Sequence, residues 1–317
     1  MGYVVRRVAY VVPTWIGITL LAFVVAQFAP GDPARAFFVR QHGRPPAPAE
    51  LERTRQQLRL DGSAIQRYTR SVGDAVQGDL GTSYTSGRPV ARELLERFPS
   101  TLQLTIAATL LTLLVGLPLG ILAALKRNSA LDQVMRAGSL LAASVPSFWL
   151  AYLLIILFSV KLHLLPSFGT GGLDHLLLPA LALGLGEAGL VARLARSTML
   201  EVLGEDYITT ARAKGLPERR VIGLHALKNA LGPVVTQLGL IFGYLLAVDA
   251  IVEVIFVWPG IGRLAVDAIT QRDYPVIQGF VIFAGTVFIL VNLVVDLIYQ
   301  RLDPRISLAS LKRPVVS

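Results

Sequence analysis

Long apolar runs separated by polar segments form the main pattern of the chain. About 20 consecutive apolar residues suffice for a helix to cross the hydrocarbon core of a bilayer, which is about 30 Å thick. Six stretches have this length and predict six transmembrane helices: Ala9–Phe28, Leu102–Leu125, Ala137–Val160, Leu176–Ala195, Val234–Val257 and Val276–Tyr299. The fourth is the least apolar, because Glu187 and Arg193 interrupt it.

Composition supports an all-α integral membrane protein. The chain is 53% hydrophobic and only 16% charged, whereas soluble domains carry roughly 25% charged residues. Its net charge of +9 comes largely from residues that border the apolar runs, so lipid head groups and topology explain it better than nucleic acid. The absence of cysteine excludes disulfides and thiolate metal sites.

The distribution of Lys and Arg predicts the orientation. With a cytoplasmic N-terminus, the short internal segments hold 16 basic residues and the short external loops hold three. Because basic residues concentrate in short cytoplasmic loops, we expect a multi-pass protein of a bacterial-type inner membrane with both termini in the cytoplasm. The first apolar run is too long for the core of a signal peptide, so it is predicted to be retained.

The segment from Pro30 to Pro99 is predicted to be a long external loop, since long loops cross a membrane largely regardless of charge. Four apolar residues at helical spacing predict a short amphipathic helix against the outer face of the bundle: Ile65, Tyr68, Val72 and Val76. Two interpretations stay open, a docking surface for a partner and a structural lid over the helix ends.

A second polar segment, Arg196 to Ala230, is predicted to be a structured cytoplasmic loop. Residues Met199 to Lys214 are mostly good helix formers. Gly215 then supplies a stop, and Pro217 fits the first turn of a second helix towards Ala226. The pattern indicates two short helices joined at Gly215.

Sequence motifs for catalysis are absent. The chain has no Gly-x-x-x-x-Gly-Lys-Ser/Thr phosphate loop, no His-Glu-x-x-His zinc motif and no Gly-x-Ser-x-Gly turn. Its histidines are scattered: His42, His163, His175 and His225. We therefore predict no catalytic residue, no metal site and no cofactor bound by this chain.

The segment from Arg193 to Ala230 closely resembles the cytoplasmic "EAA" loop of permease subunits in ABC importers of the dipeptide, oligopeptide and nickel type. Thr209-Thr210-Ala211 stands in place of Glu-Ala-Ala, and Lys228 replaces a proline, as in peptide-type members. Further landmarks similar to this family occur in its order: Pro30-Gly31-Asp32-Pro33, Gly78-Asp79-Leu80-Gly81-Thr82-Ser83, Pro146-Ser147-Phe148-Trp149, Val257-Trp258-Pro259-Gly260-Ile261-Gly262, Arg272-Asp273-Tyr274-Pro275 and Leu302-Asp303-Pro304-Arg305.

The resemblance implies a type I ABC importer fold and a division of labour. Such permeases work in pairs, commonly as two different subunits. They bind two cytoplasmic ATPases, which hold ATP and Mg²⁺, and receive solute from an external binding protein. The implied organisation is a first helix with its external loop (1–99), a transmembrane domain (100–303) containing the coupling loop (196–230), and a cytoplasmic tail (304–317).

The same resemblance places the ATPase contact around Gly215. The expected coupling residues are Glu205, Asp206, Tyr207, Thr210, Ala211, Arg212, Ala213, Lys214, Gly215 and Leu216. Glu205, Asp206, Arg212 and Lys214 offer charges of both signs for docking on the ATPase surface.

Two carboxylates in the fifth predicted span are candidates for the solute path. A charge at the centre of a transmembrane helix costs about 3 kcal/mol, and Asp249 and Glu253, four residues apart, share one helix face. They could attract a cationic solute. Internal pairing, for example with an arginine of a partner subunit, and a position at the external boundary are the alternatives.

A secondary transporter or channel subunit that does not use ATP is the alternative function. Such transporters normally have more spans or an internal repeat, and none is visible here. The sequence leaves the solute open, because relatives of this type carry peptides of different lengths, nickel chelates, opines and glutathione.

Overall fold

The structure, a computed structural model, describes residues 2–28, 32–248 and 250–302 and confirms the all-α prediction. Among these residues the only β-type pairing is the isolated bridge between Thr82 and Pro89. The helices are α1 Gly2–Phe28, α2 Pro33–His42, α3 Pro48–Gln57, α4 Ala64–Val76, α5 Val90–Leu125, α6 Ala130–Ser144, α7 Ser147–Leu154, α8 Leu173–Leu203, α9 Asp206–Ala213, α10 Glu218–Arg220, α11 Leu227–Val248, α12 Ala250–Ile255, α13 Ile261–Gln271 and α14 Tyr274–Leu302. Two π-helical segments, Ile155–Lys161 and Val221–Ala226, continue α7 and α10.

Four continuous helical stretches in the described residues are long and apolar enough to cross a membrane: Val90–Leu125, Leu173–Leu203, Glu218–Leu246 and Tyr274–Val295. They correspond to the second, fourth, fifth and sixth predicted spans. The first predicted span is helical, but its apolar stretch among the residues searched, Ala9–Val24, is shorter than the other four.

The third predicted span is not one straight helix. The structure divides Ala137–Val160 between α6 and the helix that begins at Ser147, and the two are bent by 102°. Val145 is extended, with ψ 123°, and Pro146 follows it. Because proline lacks an N–H and disfavours helical geometry in the preceding residue, the helix ends there. Counted as one crossing, this bent pair is the fifth candidate span.

Helices α2, α3 and α4 occupy much of the predicted external loop. The predicted amphipathic helix exists as α4, and Tyr68 packs edge-on against Phe23 of α1 with ring centroids 5.5 Å apart. The ends of its predicted apolar face are exposed, however, with Ile65 76% and Val76 71% accessible. The contacts to α1 come from Arg67 and Tyr68 near the middle of α4, so only the centre of that face is covered.

The chain divides into two packing units, each with its own apolar core. Among the described residues, the first contains 2–4, 102–248, 250–258 and 288–302. Its core centres on α5, α7, α8, α11 and α12, with Leu178, Val191 and Trp258 almost fully buried. The second contains residues 5–101 and 259–287, and its core includes Leu94 and Ile261.

Glycines allow α5 to approach α8 closely in the first unit. A Cβ on Gly116 would lie 2.6 Å from the carbonyl oxygen of Ala188, and one on Gly120 would collide with the carbonyl oxygen of Ala192. Small residues at such positions let helix backbones pack closely in membranes. Glycine at these two positions therefore serves helix packing.

Candidate functional site

The segment 196–230, called the coupling hairpin below, consists of the end of α8, the short helix α9 and the start of a long helix. The first predicted short helix, Met199 to Lys214, is divided in the structure, because residues 199–203 continue α8 and α9 begins at Asp206. The second begins at Glu218, continues through the π-helical segment Val221–Ala226 and passes without a break into α11. The prediction that the second helix is short was therefore wrong, because Leu227 and the residues after it remain helical.

The coupling hairpin has a small apolar core of its own. Its buried members are Met199, Ile208, Ala211, Val221, Ala226 and Ala230, together with Ala124 at the end of α5. Since α8 and α11 also carry predicted spans, this core ties α9 to helices that continue towards the membrane. Side chains packed in such a core resist local deformation, so the hairpin can move as one body with those helices.

Gly215 forms the turn between α9 and α10. Its φ is 76°, a conformation that glycine adopts without steric cost and a β-branched residue rarely adopts. Its N–H donates to the carbonyl oxygen of Arg212 at 2.9 Å. No other atom lies within 4 Å of the position that a Cβ would occupy. The backbone conformation, rather than lack of space, therefore requires glycine.

Most of the predicted coupling residues lie on the exposed side of this turn. Those exposed are Glu205, Asp206, Tyr207, Thr210, Arg212, Ala213, Lys214 and Gly215, and Leu216 is half-buried. Ala211 is different, because it is only 7% accessible and belongs to the hairpin core. In this structure Ala211 supports the surface from beneath and is not part of it.

Two polar contacts fix the shape of the exposed surface. The guanidinium of Arg212 donates to the carboxylate of Glu218 across the turn, with Nη2 to Oε1 at 2.7 Å, and this bond raises the pKa of Arg212 above its usual value. The amide of Asn229 donates to the hydroxyl oxygen of Tyr207 at 2.8 Å. Both contacts join α9 to the helix that follows the turn.

A buried ion pair that the sequence did not reveal anchors the first residue of the hairpin. Arg196 donates from Nε and Nη2 to the two carboxylate oxygens of Asp132 at 2.7 and 2.8 Å. Asp132 is fully buried near the start of α6 and also accepts from the backbone N–H of Asn128. From the sequence, Arg196 was interpreted only as one of the basic residues of the cytoplasmic segments. The sequence signal near its partner was Ser129 followed three residues later by Asp132, a pattern typical of a helix N-terminus.

The two candidate path residues have different outcomes. Asp249 lies outside the described residues, as does the predicted cytoplasmic tail. Glu253 lies in α12 and is only 3% accessible, so its carboxylate does not face open space within this chain. The prediction that the pair lines a solute path stays a prediction.

A second polar cluster joins two of the sequence landmarks. Asp273 accepts from the hydroxyl of Ser83 at 2.6 Å and from the backbone N–H groups of Tyr84 and Thr85 at 3.1 and 2.9 Å. Burial, and then the Asp273 carboxylate, raise the pKa of the Tyr84 phenol. Asp273 is itself buried, which makes the cluster a structural clamp rather than an open binding site.

Residues 116–308 match the profile of a family described as binding-protein-dependent transport system inner membrane component. The chain belongs to this family. It is accordingly a membrane-spanning permease subunit of a peptide-type ABC importer, as the landmark sequences predicted. This subunit is therefore a transport component of the importer.

Relatives cover nearly the whole chain. A glutathione transport system permease protein, GsiC, of Escherichia coli O6:H1 is 43% identical over 307 residues, which is 96% of this chain and 99% of the relative. The GsiC protein of Shigella dysenteriae serotype 1 has the same identity and coverage.

Solved structures support the fold. The inward-facing MetNI methionine ABC transporter, in its CY5 native crystal form, has a chain that matches with a TM-score of 0.55 and 20% identity, covering 66% of this chain and 96% of that one. A second crystal form matches with a TM-score of 0.57. The type I importer fold predicted from the sequence is thus confirmed.

Proposed function

We propose that the coupling hairpin transmits the motion of separate cytoplasmic ATPases, which bind ATP and Mg²⁺, to the spans of this permease. The supporting observation is the exposed turn at Gly215 above a hairpin core that includes residues of α5, α8 and α11. Closure of an ATPase dimer displaces such a hairpin as a rigid body and alternates access between the two sides of the membrane.

The proposal includes three kinds of protein partner. A second, homologous permease subunit completes the pathway, two ATPases bind the hairpins, and an external solute-binding protein delivers the solute. The family description, which names binding-protein dependence, supports the last of these. The excess of Lys and Arg in the predicted internal segments supports cytoplasmic termini and hairpin.

For the solute we propose a small peptide, with glutathione as the first candidate. The relatives that are 43% identical over 96% of the chain are named glutathione transport permeases. In this proposal Asp249 and Glu253 of the fifth span interact with the cationic group of the solute or with the partner permease.

Coupling is tested by comparing Gly215→Val with Gly223→Val in proteoliposomes that contain the complete importer. Valine at Gly215 meets a backbone conformation that costs about 1–2 kcal/mol, whereas Gly223 lacks a positive φ and has open space around its Cβ position. We expect Gly215→Val to abolish ATP-dependent uptake while the subunit remains in the membrane, and Gly223→Val to retain uptake. Equal uptake by both variants would contradict the proposal.

The solute is tested by ATP-dependent uptake of labelled glutathione in competition with unlabelled dipeptides and longer peptides. If unlabelled glutathione inhibits this uptake at a lower concentration than any of the other peptides, the first candidate is supported. Asp249→Asn and Glu253→Gln should then change the order of preference among these solutes. An unchanged order in both variants would remove the carboxylates from the path.

A further inference from the structure

A large polar cavity lies within the second packing unit, on the side that the charge distribution predicts to be external. Its volume is 1020 Å³, at the upper end of the roughly 300–1,000 Å³ that small-molecule sites occupy. The wall is formed by the end of α1, by α3 and α4, by residues 79–84 and by the start of α14. None of these elements belongs to the coupling hairpin.

Most of the charged groups that line this cavity neutralise one another. Arg55 bonds to Asp32 at 2.6 Å and lies 3.8 Å from Glu52. The other two pairs are Arg59 with Asp74 at 3.6 Å and Arg70 with Asp61 at 3.8 Å. These ion pairs include three of the four arginines and four of the five carboxylates that line the cavity.

Arg67 is the remaining cation. Its Nη2 donates to the amide oxygen of Gln27 at 2.8 Å, and its Nε is buried without a hydrogen-bond partner. Within the described ranges, no carboxylate lies at ion-pair distance from it. A guanidinium whose charge no carboxylate neutralises gains from a ligand that supplies carboxylate oxygens.

Asp79 is the remaining carboxylate. Its Oδ1 accepts from the backbone N–H of Gly81 at 2.8 Å, and no cationic side chain of the described chain pairs with it. Phe23, Leu80 and Ile282 supply apolar surface in the same cavity. The wall therefore offers one unpaired cation, one unpaired anion and apolar side chains.

We propose that this cavity binds a free zwitterionic peptide, with its carboxylate at Arg67 and its ammonium group at Asp79. The inference takes its solute class from the proposed function. It adds a binding site in the second packing unit of this permease, outside the fifth predicted span, which carries the two candidate path carboxylates.

The test measures peptide binding to the purified importer in nanodiscs, without ATP and without the binding protein. Three probes are compared by isothermal titration calorimetry: glycyl-leucine, N-acetyl-glycyl-leucine and glycyl-leucine amide. Because a hydrogen bond to a charged group changes affinity by about tenfold or more, the free dipeptide should bind at least about tenfold more tightly than either capped form.

Two substitutions assign the charges. Arg67→Gln should remove the preference for the free dipeptide over the amide and keep the preference over the acetylated form, and Asp79→Asn should do the reverse. The control is Arg53→Gln on α3, because Arg53 is exposed and does not line the cavity. It should leave both preferences unchanged.

Equal affinities for the three probes, or no binding, would overturn the proposal. This comparison uses the unmodified importer, so it does not depend on whether the variants assemble. An equal effect of Arg53→Gln and Arg67→Gln would overturn the assignment to Arg67. Coupling to ATP is measured separately through Gly215→Val. If Gly215→Val abolishes ATP-dependent uptake and the unmodified importer does not bind the dipeptide, only the cavity site is rejected. If the dipeptide binds and Gly215→Val leaves uptake unchanged, the proposed function is rejected.

Discussion

The hydroxyl of Ser83 donates a 2.6 Å hydrogen bond to the carboxylate of Asp273, 190 residues away in the chain. Asp273 also accepts the backbone N–H groups of the next two residues, Tyr84 and Thr85. One buried carboxylate thus holds the segment before α5 against the segment between α13 and α14. Two landmark sequences that are far apart in the chain form a single clamp.

Replacing Asp273 with Asn is expected to weaken this clamp. The amide offers one acceptor oxygen where the carboxylate offers two, so at least one buried donor loses its partner at a cost of about 1–3 kcal/mol. Thermal unfolding of the purified subunit measures the loss. The control is Asp267→Asn on α13, where the carboxylate is half exposed and 3.9 Å from Arg263. Equal unfolding temperatures for the two variants would contradict this role of Asp273.

The sequence predicted the long helices well because the length of the apolar runs determines them. Leu176–Ala195 and Val276–Tyr299 fall within α8 and α14. The bend at Pro146 was missed because a proline inside an apolar run is compatible with both a kinked span and a broken one. In the hairpin, Gly215 was identifiable as a stop, whereas the burial of Ala211 depends on packing between distant segments that hydropathy does not record.

Arg196 and Asp132 are expected to depend on each other. Asp132→Asn leaves the guanidinium of Arg196 without its bidentate partner, and Arg196→Gln leaves a buried carboxylate unpaired, which is strongly destabilising. We expect each single variant to unfold at least about 5 °C below the unmodified protein. The exchanged double variant, Asp132→Arg with Arg196→Asp, should recover part of the loss.

A double-mutant cycle, which compares Asp132→Asn, Arg196→Gln and the variant that carries both, measures the energy of the interaction itself. The control is Lys126→Gln, at an exposed position six residues before Asp132 in the chain. Additive effects of the two single substitutions would show that the pair does not anchor the coupling hairpin.

Close packing of α5 on α8 predicts intolerance at Gly120. A valine there collides with the backbone of α8 at Ala192, which cannot retreat without displacing the helix, and overpacking of this kind costs about 1–3 kcal/mol or more. Gly138→Val is the control, because no atom lies within 4 Å of a Cβ at that position. The yield and the unfolding temperature of the purified subunit should fall for Gly120→Val only. A similar fall in both variants would indicate a general effect of valine in these helices.

Two alanines of α9 separate support of the coupling hairpin from contact with the ATPase. Ala211 lies in the hairpin core, whereas Ala213 is exposed beside the turn. Ala211→Leu overfills the core and should lower the unfolding temperature together with ATP-dependent uptake. Ala213→Leu adds the same atoms to the outer surface, so it should leave the unfolding temperature unchanged and reduce copurification of the ATPase. If Ala213→Leu retained full ATPase association and uptake, the surface beside Gly215 would not be the docking surface, because a leucine in a closely fitted interface displaces the partner.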